Sequence, residues 1–402
     1  MHIVLINQFF PPSRAPTGIL LCDEARVLRE AGHAVTVMTS SGGYGGGAAG
    51  ESADLAGLEV RRMGPGRAHG ATLRSKFMDY VRFHASVSSS LASLQPRPDR
   101  VVCMTTPPLV GLAARRYGRK RGVPYWLWCM DLYPEALSAG GIMGSRHPLY
   151  RLLERWARRE REDARAVISL GADMTERILR LAPAARVVEI PVWNRRRATP
   201  DGEARARAIR RMRGWRDDEV ILLYSGHIGR AHRVEEWVSL AETLHALDAP
   251  ARMIFSGTGP LEKEWRRRLG DRAAWCEPVP DGEAEAHLLA GDVHLVSQQT
   301  GWTGVVVPSK YQAACALGRP VLFAGERGSA VAQWIRQADT GWVLEPGCVG
   351  QDLPALVRDL CDAARRRRKG EHAREQSAND FNVDSLTRRL RLWIEDDASP
   401  GR

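Results

Sequence analysis

Three groups of residues have the types and spacing to do chemistry. In the first, Ser309 and Lys310 follow Pro308 directly after the apolar run Val305–Val307, so a hydroxyl and a lysine charge arrive together where a helix can begin. Ser309 is of a type that caps helices. A helix starting there would aim free N–H groups and the positive end of its dipole at the preceding loop, and Lys310 would add a full charge. That combination suits a diphosphate. The second group is Gly226-His227-Ile228-Gly229-Arg230, whose glycines let backbone come close to a ligand while Arg230 offers a planar fork of donors to phosphate. The third is Asp131 and Glu135, candidates for accepting a proton or for orienting a hydroxyl.

The elements around these groups must hold them at strand ends. Gly304–Gly325 reads as a ligand loop, a helix closed by Gly318 and Pro320, and a buried strand opening with Val321–Phe323. The Gly226 turn follows an apolar strand, Val220–Ser225, and precedes a helix, Val234–Leu247. Asp131 follows the strand Tyr125–Met130. In the first half, strand His2–Asn7, a loop carrying Gly18, helix Ile19–Glu30 and strand Ala34–Thr39 make a βαβ unit. The glycines of Gly42–Gly50 lack dinucleotide-binding spacing and mark a loop. Thr105–Pro108 opens a helix, Leu109–Arg121. Continuous apolar strands alternating with helices predict an α/β fold with an open parallel sheet in each half, whose ligands lie beyond the carboxyl ends of the strands. The hinge and linker fall at Pro191–Asn194 and Arg195–Glu203, and the chain closes with two helices, Asp352–Arg368 and Val383–Glu395.

At 402 residues the chain is too long for one ordinary core, and 44% hydrophobic content with 26% charge is that of a globular protein in water. A net charge of +11 permits nucleic acid, an anionic membrane surface or anionic small substrates as partners. Nucleic acid is set aside, because no aromatic interleaving or known binding motif accompanies the charge. The seven cysteines have no Cys-x-x-Cys spacing, which indicates reduced thiols and a cytoplasmic setting. The N-terminus lacks the basic segment of a signal peptide, and the longest dense apolar run, Tyr125–Met130, is too short to span a bilayer. His227 is the best placed histidine, read as a loop donor, and no set of residues has metal-ligand spacing. Arg115, Arg116, Arg119, Lys120 and Arg121 form one basic cluster. Arg151, Arg155, Arg158, Arg159 and Arg165 form another, at spacings that favour one side of a helix, with Leu149, Leu152, Leu153 and Trp156 opposite. This second cluster reads either as a solvated face or as one that meets an anionic leaflet.

The order of these segments resembles the family 4 glycosyltransferases of the GT-B fold, in particular the bacterial branch that builds capsule, O-antigen and exopolysaccharide sugars. The resemblance runs through NQFFPP and Gly18, TTPPLVGL, DLYPE, EIPVWN, YSGHIGR, SGTGP, VPSK and ALGRPVLF, in the family's order. It implies two Rossmann-like domains flanking a cleft. Residues 1–193 would bind the acceptor, residues 194–382 the nucleotide sugar, and residues 383–402 would cross back to the first domain. It further implies metal-free transfer of a sugar from a nucleotide diphosphate sugar to a lipid-linked or saccharide acceptor, usually with retention at the anomeric carbon. Arg230, Lys310, Ser309, Gly226 and Gly229 would hold the diphosphate, with Gly18 near the sugar phosphate. Gly257, Pro278, Val279 and Pro280 would border the base and ribose, and Asp131 and Glu135 would face the acceptor. The family commonly carries two glutamates where this chain has Val305 and Ala313. That departure permits an inactive nucleotide-binding partner of another transferase, and the shared double fold leaves a sugar-nucleotide epimerase as a further reading.

Overall fold

The computed structural model describes residues 1–13, 15–42, 55, 57–64, 73–277, 279, 281–347 and 352–396. The Gly42–Gly50 loop after its first residue, Pro278 and Pro280 lie outside these. The chain divides into two compact units, one formed by Met1–Pro191 with the C-terminal segment from Asp384, the other by Val192–Val383.

In the first unit the described strands form one parallel sheet in the order β3-β2-β1-β4-β5-β6-β7. These are β1 (His2–Ile6), β2 (Ala34–Ser40), β3 (Glu59–Met63), β4 (Arg100–Met104), β5 (Tyr125–Trp128), β6 (Ala166–Ser169) and β7 (Val187–Glu189). Every residue of β1, β4, β5 and β6 is buried, the expected state of strands covered on both faces by crossover helices. Those helices are α1 (Pro16–Glu30), α2 (Leu73–Ser93), α3 (Gly111–Arg121), α4 (Glu135–Ala139), α5 (Pro148–Glu162) and α6 (Ala172–Leu181). Helix α1 begins earlier than the sequence suggests, because Pro16 at its first turn has its φ already set for a helix. Gly18 therefore lies inside the first turn and is buried, not on a loop. A Cβ there would sit 3.1 Å from the Phe9 and Phe10 backbone, so the glycine is explained by close helix-to-loop packing.

The second unit holds a parallel sheet in the order β10-β9-β8-β11-β12-β13. Its strands are β8 (Val220–Ser225), β9 (Ala251–Ser256), β10 (Ala274–Cys276), β11 (Val293–Ser297), β12 (Val321–Ala324) and β13 (Gly341–Leu344). Around them run α7 (Pro200–Met212), α8 (Glu235–Ala246), α9 (Glu262–Leu269), α10 (Ala284–Leu289), α11 (Lys310–Ala316), α12 (Ala330–Ala338), α13 (Leu353–Cys361) and α14 (Ala363–Asn379). One core face gathers Tyr224, Trp237, Phe255 and Trp265, all at most 1% exposed. Two expectations fail here. The supposed linker runs into α7, whose start is fixed by the Thr199 side chain accepting from Gly202 N at 3.0 Å and by Pro200 in the first turn. The single helix expected over Asp352–Arg368 is two, because Asp362 leaves the helical region and its carboxylate accepts from Ala364 N and Arg365 N to cap α14.

The last helix, α15 (Val383–Glu395), packs in the first unit. Leu390 and Ile394 are fully buried, Glu395 pairs with His33 at 2.7 Å, and the Arg186 guanidinium lies 4.6 Å from the Trp393 ring centre. Cys22, Cys103, Cys129, Cys276, Cys315 and Cys361 are free thiols. No described helix is long and apolar enough to cross a membrane.

Candidate active site

In the second unit, β8 and β11 are neighbours and parallel, so the loops after them leave the same sheet edge. They are tied together. His232 Nδ1 donates to Ser297 O at 2.7 Å, Gln299 N donates to Ala231 O at 2.7 Å, and the Arg233 guanidinium reaches Thr300 Oγ1 at 2.8 Å. The loop after β9 joins them, with Gly226 N donating to Ser256 O and Ile228 N to Thr258 O. Close approach demands glycine at two points. Gly226 has φ +115°, and a Cβ on Gly257 would lie 2.0 Å from Gly226 O.

Lys310 projects into this turn. Its ammonium sits 3.7 Å from the Tyr224 ring centre and donates to His227 O at 3.2 Å, while Tyr224 Oη donates to the same carbonyl at 2.9 Å. The side chain is half-buried, and among the described residues no carboxylate pairs with it. Desolvation pushes its pKa well down, because little nearby offsets the loss of water. Burial, with the Lys310 charge adding to it, drives His232 down to about 3, so that imidazole stays neutral and acts as a fixed donor. The site therefore places a lysine that has no carboxylate partner among the described residues at the carboxyl end of the sheet, lined by backbone that a Cβ would block. An anion completes it electrostatically.

The other members are placed less uniformly. Arg230 and Gly226 are exposed and Gly229 is buried beneath the His227 ring. Ser309 is exposed and in helical geometry, and its side chain makes no cap bond, so the expected cap is absent; α11 starts at Lys310 and is only seven residues long. Gly318, with φ +64°, ends it as the sequence indicates. Val279 is half-buried beyond β10. Val305 is fully buried and Ala313 half-buried, so neither provides the missing carboxylates.

In the first unit Asp131 and Glu135 behave differently. Glu135 makes a two-pronged ion pair with Arg161 at 2.7 and 3.1 Å, and Arg161 also donates to Tyr133 O at 3.0 Å. Both side chains are largely buried, which commits Glu135 to holding α4 against α5. Asp131 is half-buried, and among the described residues its carboxylate has no hydrogen-bond or ion-pair partner, although its backbone N–H points at Thr105 Oγ1. Burial raises it to about 6. Tyr80 and Tyr133 are raised first by burial and then by the Asp131 charge, which puts two phenols in its neighbourhood. A carboxylate with that affinity for protons can accept one near neutrality.

Sequence reasoning missed Tyr224 and the two tyrosines near Asp131. Tyr224 looked like one more apolar strand residue, and only its place one before the strand's end hinted otherwise. Among the described residues no group of His, Cys, Asp and Glu could hold a metal ion.

Residues 21–193 match the family described as glycosyl transferase 4-like domain. The probable glycosyltransferase WbjE of Pseudomonas aeruginosa is 25% identical over 68% of this chain and 69% of its own length. The putative colanic acid biosynthesis glycosyl transferase WcaI of Escherichia coli is 26% identical over 76% of this chain and 75% of its own. Among solved structures, sucrose-phosphate synthase from Thermosynechococcus elongatus aligns over 98% of both chains at 16% identity with a TM-score of 0.75. Anabaena HepE, in complex with UDP-glucose, aligns over 98% of this chain and 99% of its own at 14% identity with a TM-score of 0.67. The domain match and the named relatives agree on one class of activity: the chain is a glycosyltransferase of the GT-B fold.

Proposed function

We propose that this glycosyltransferase moves a sugar from a nucleotide diphosphate sugar to a lipid-linked or saccharide acceptor in cell-surface polysaccharide biosynthesis, with retention and without a metal, on the cytoplasmic side of the membrane. The observation that carries the donor assignment is the half-buried Lys310 ammonium beside the Gly226–Arg230 turn, without a carboxylate partner among the described residues. A diphosphate leaving group accumulates negative charge as the glycosidic bond breaks, and a lysine already positioned beside it, whose charged form that anion favours, stabilises the charge with little reorganisation. Arg230 would share this task, and Gly229, Ser309, Gly257 and Val279 would border the nucleotide. The colanic acid relative and the HepE complex with UDP-glucose favour the same substrate classes. In the acceptor unit Asp131 would hold the incoming hydroxyl and take its proton, while Glu135 serves only to position α4. Gly18 is explained by packing and is left out of the donor site.

Release of nucleoside diphosphate from a panel of nucleotide sugars, with and without saccharide or lipid-linked acceptors, tests this reading. Acceptor-dependent release, lost in Lys310→Ala, is expected. Interconversion of the nucleotide sugar without an acceptor would support an epimerase instead. Binding without turnover of any donor would support the inactive partner, which the buried Val305 in place of a glutamate allows.

A further inference from the structure

We propose that the outer face of α5 docks on an anionic lipid bilayer. The helix buries only a narrow side, through Tyr150, Ala157, Glu160 and Arg161. Three large apolar residues point outwards instead: Leu149 is 45% exposed, Leu152 39% and Trp156 39%. Their spacing of three and four places them on a single stripe along the helix. Ile142, 53% exposed in the segment leading to α5, adds a fourth. Beside this stripe Arg151, Arg155 and Arg159 recur every fourth residue, all exposed, and among the described residues none of them is in an ion pair. Arg158 differs, since it pairs with Glu162 at 2.9 Å. Arg165, grouped with these by sequence, lies beyond the end of the helix.

An apolar stripe flanked by unneutralised arginines, with a tryptophan whose ring is apolar and whose N–H is polar, matches the boundary between headgroups and acyl chains. The apolar side chains would enter that boundary and the arginines would meet lipid phosphates. A second copy of the chain fits less well, because a self-complementary contact would set the three arginines against one another, with Glu162 already engaged by Arg158. The proposal rests on the lipid-linked acceptor for its purpose; the surface itself is read from α5 alone.

Full-length protein is sedimented with vesicles of phosphatidylcholine, with and without phosphatidylglycerol, at low and high salt. Binding is expected only to the anionic vesicles. It should weaken about a hundredfold when Arg151, Arg155 and Arg159 are all changed to glutamine, at roughly fivefold per charge. Leu152→Glu with Trp156→Glu should abolish it, while Arg367→Gln with Arg368→Gln on α14 should leave it intact. Unchanged circular dichroism and unfolding midpoints establish that the variants fold. No wild-type binding to anionic vesicles, equal binding by the α5 variants, or equal weakening by the α14 variant would overturn the proposal. So would a wild-type dimer that Trp156→Glu dissociates without altering vesicle binding. Transfer to a lipid-linked acceptor in detergent and to a water-soluble saccharide, measured with the same proteins, separates the two readings: absence of both in wild type with vesicle binding intact refutes the acceptor assignment and leaves the surface standing.

Discussion

Replacing Asp131 by asparagine should make the protein more stable and less active. The folded state raises this carboxyl from 3.8 to about 6 by burial. At low pH the side chain is protonated in both folded and unfolded chains, and wild type and variant should match. As pH rises past the unfolded value, the unfolded chain releases its proton while the folded chain keeps it. Wild-type stability then falls through that window and levels off above the folded value. A shift of about two pH units corresponds to about 3 kcal/mol, and water reaching the half-buried side chain lowers the expected gain to about 1–2 kcal/mol. Denaturant unfolding of both proteins at several pH values from 4 to 7.5 measures it. The difference should open between pH 4 and 6 in favour of Asp131→Asn and then stay constant. If Asp131 takes the acceptor's proton, the variant's transfer rate should also drop, by about 100-fold or more. A variant no more stable than wild type at pH 7.5 would refute a carboxylate held there against the cost of its burial.

Three further outcomes follow from the same geometry. Glu135→Ala leaves the buried Arg161 guanidinium uncompensated and should cost about 3–5 kcal/mol in denaturant unfolding, whereas a purely catalytic glutamate would lose rate without losing stability. Gly257→Ala drives a Cβ against Gly226 O, so nucleotide binding in a titration should be lost even where the unit stays folded by circular dichroism. In wild type, transfer should rise as pH passes upward through about 6 and then flatten, as Asp131 loses its proton; a profile already flat from pH 5 would remove it from the reaction.

The framework was legible because doubly covered parallel strands must be apolar throughout, and such runs stand out between helix-terminating glycines and prolines. Helix α7 was hidden by its arginines, which lowered its apolar content to that of a linker, although Thr199 with Pro200 at its start was a readable signal. Single residues at strand ends were legible as candidates, yet their roles depended on partners remote in sequence. Glu135 looked as free as Asp131 until Arg161, 26 residues on, was found against it. Lys310 looked like a helix-start lysine, and only the fold shows its ammonium over Tyr224 with no carboxylate partner among the described residues. Ser309 had the right type for a cap, but the chain is already helical at that exposed residue and its side chain makes no cap bond.

In the proposed donor site the Gly226–Arg230 turn and Lys310 hold the diphosphate of a nucleotide sugar. Thermal unfolding with nucleoside diphosphates and with the matching monophosphates reads this out. At a ligand concentration about 100 times its dissociation constant, stabilisation should reach about 2.7 kcal/mol, a rise of roughly 5–10 °C for a unit of this size. One diphosphate should produce that rise, its monophosphate much less, and Lys310→Ala and Arg230→Ala should each remove most of it. A diphosphate shift that survives both substitutions would contradict the account.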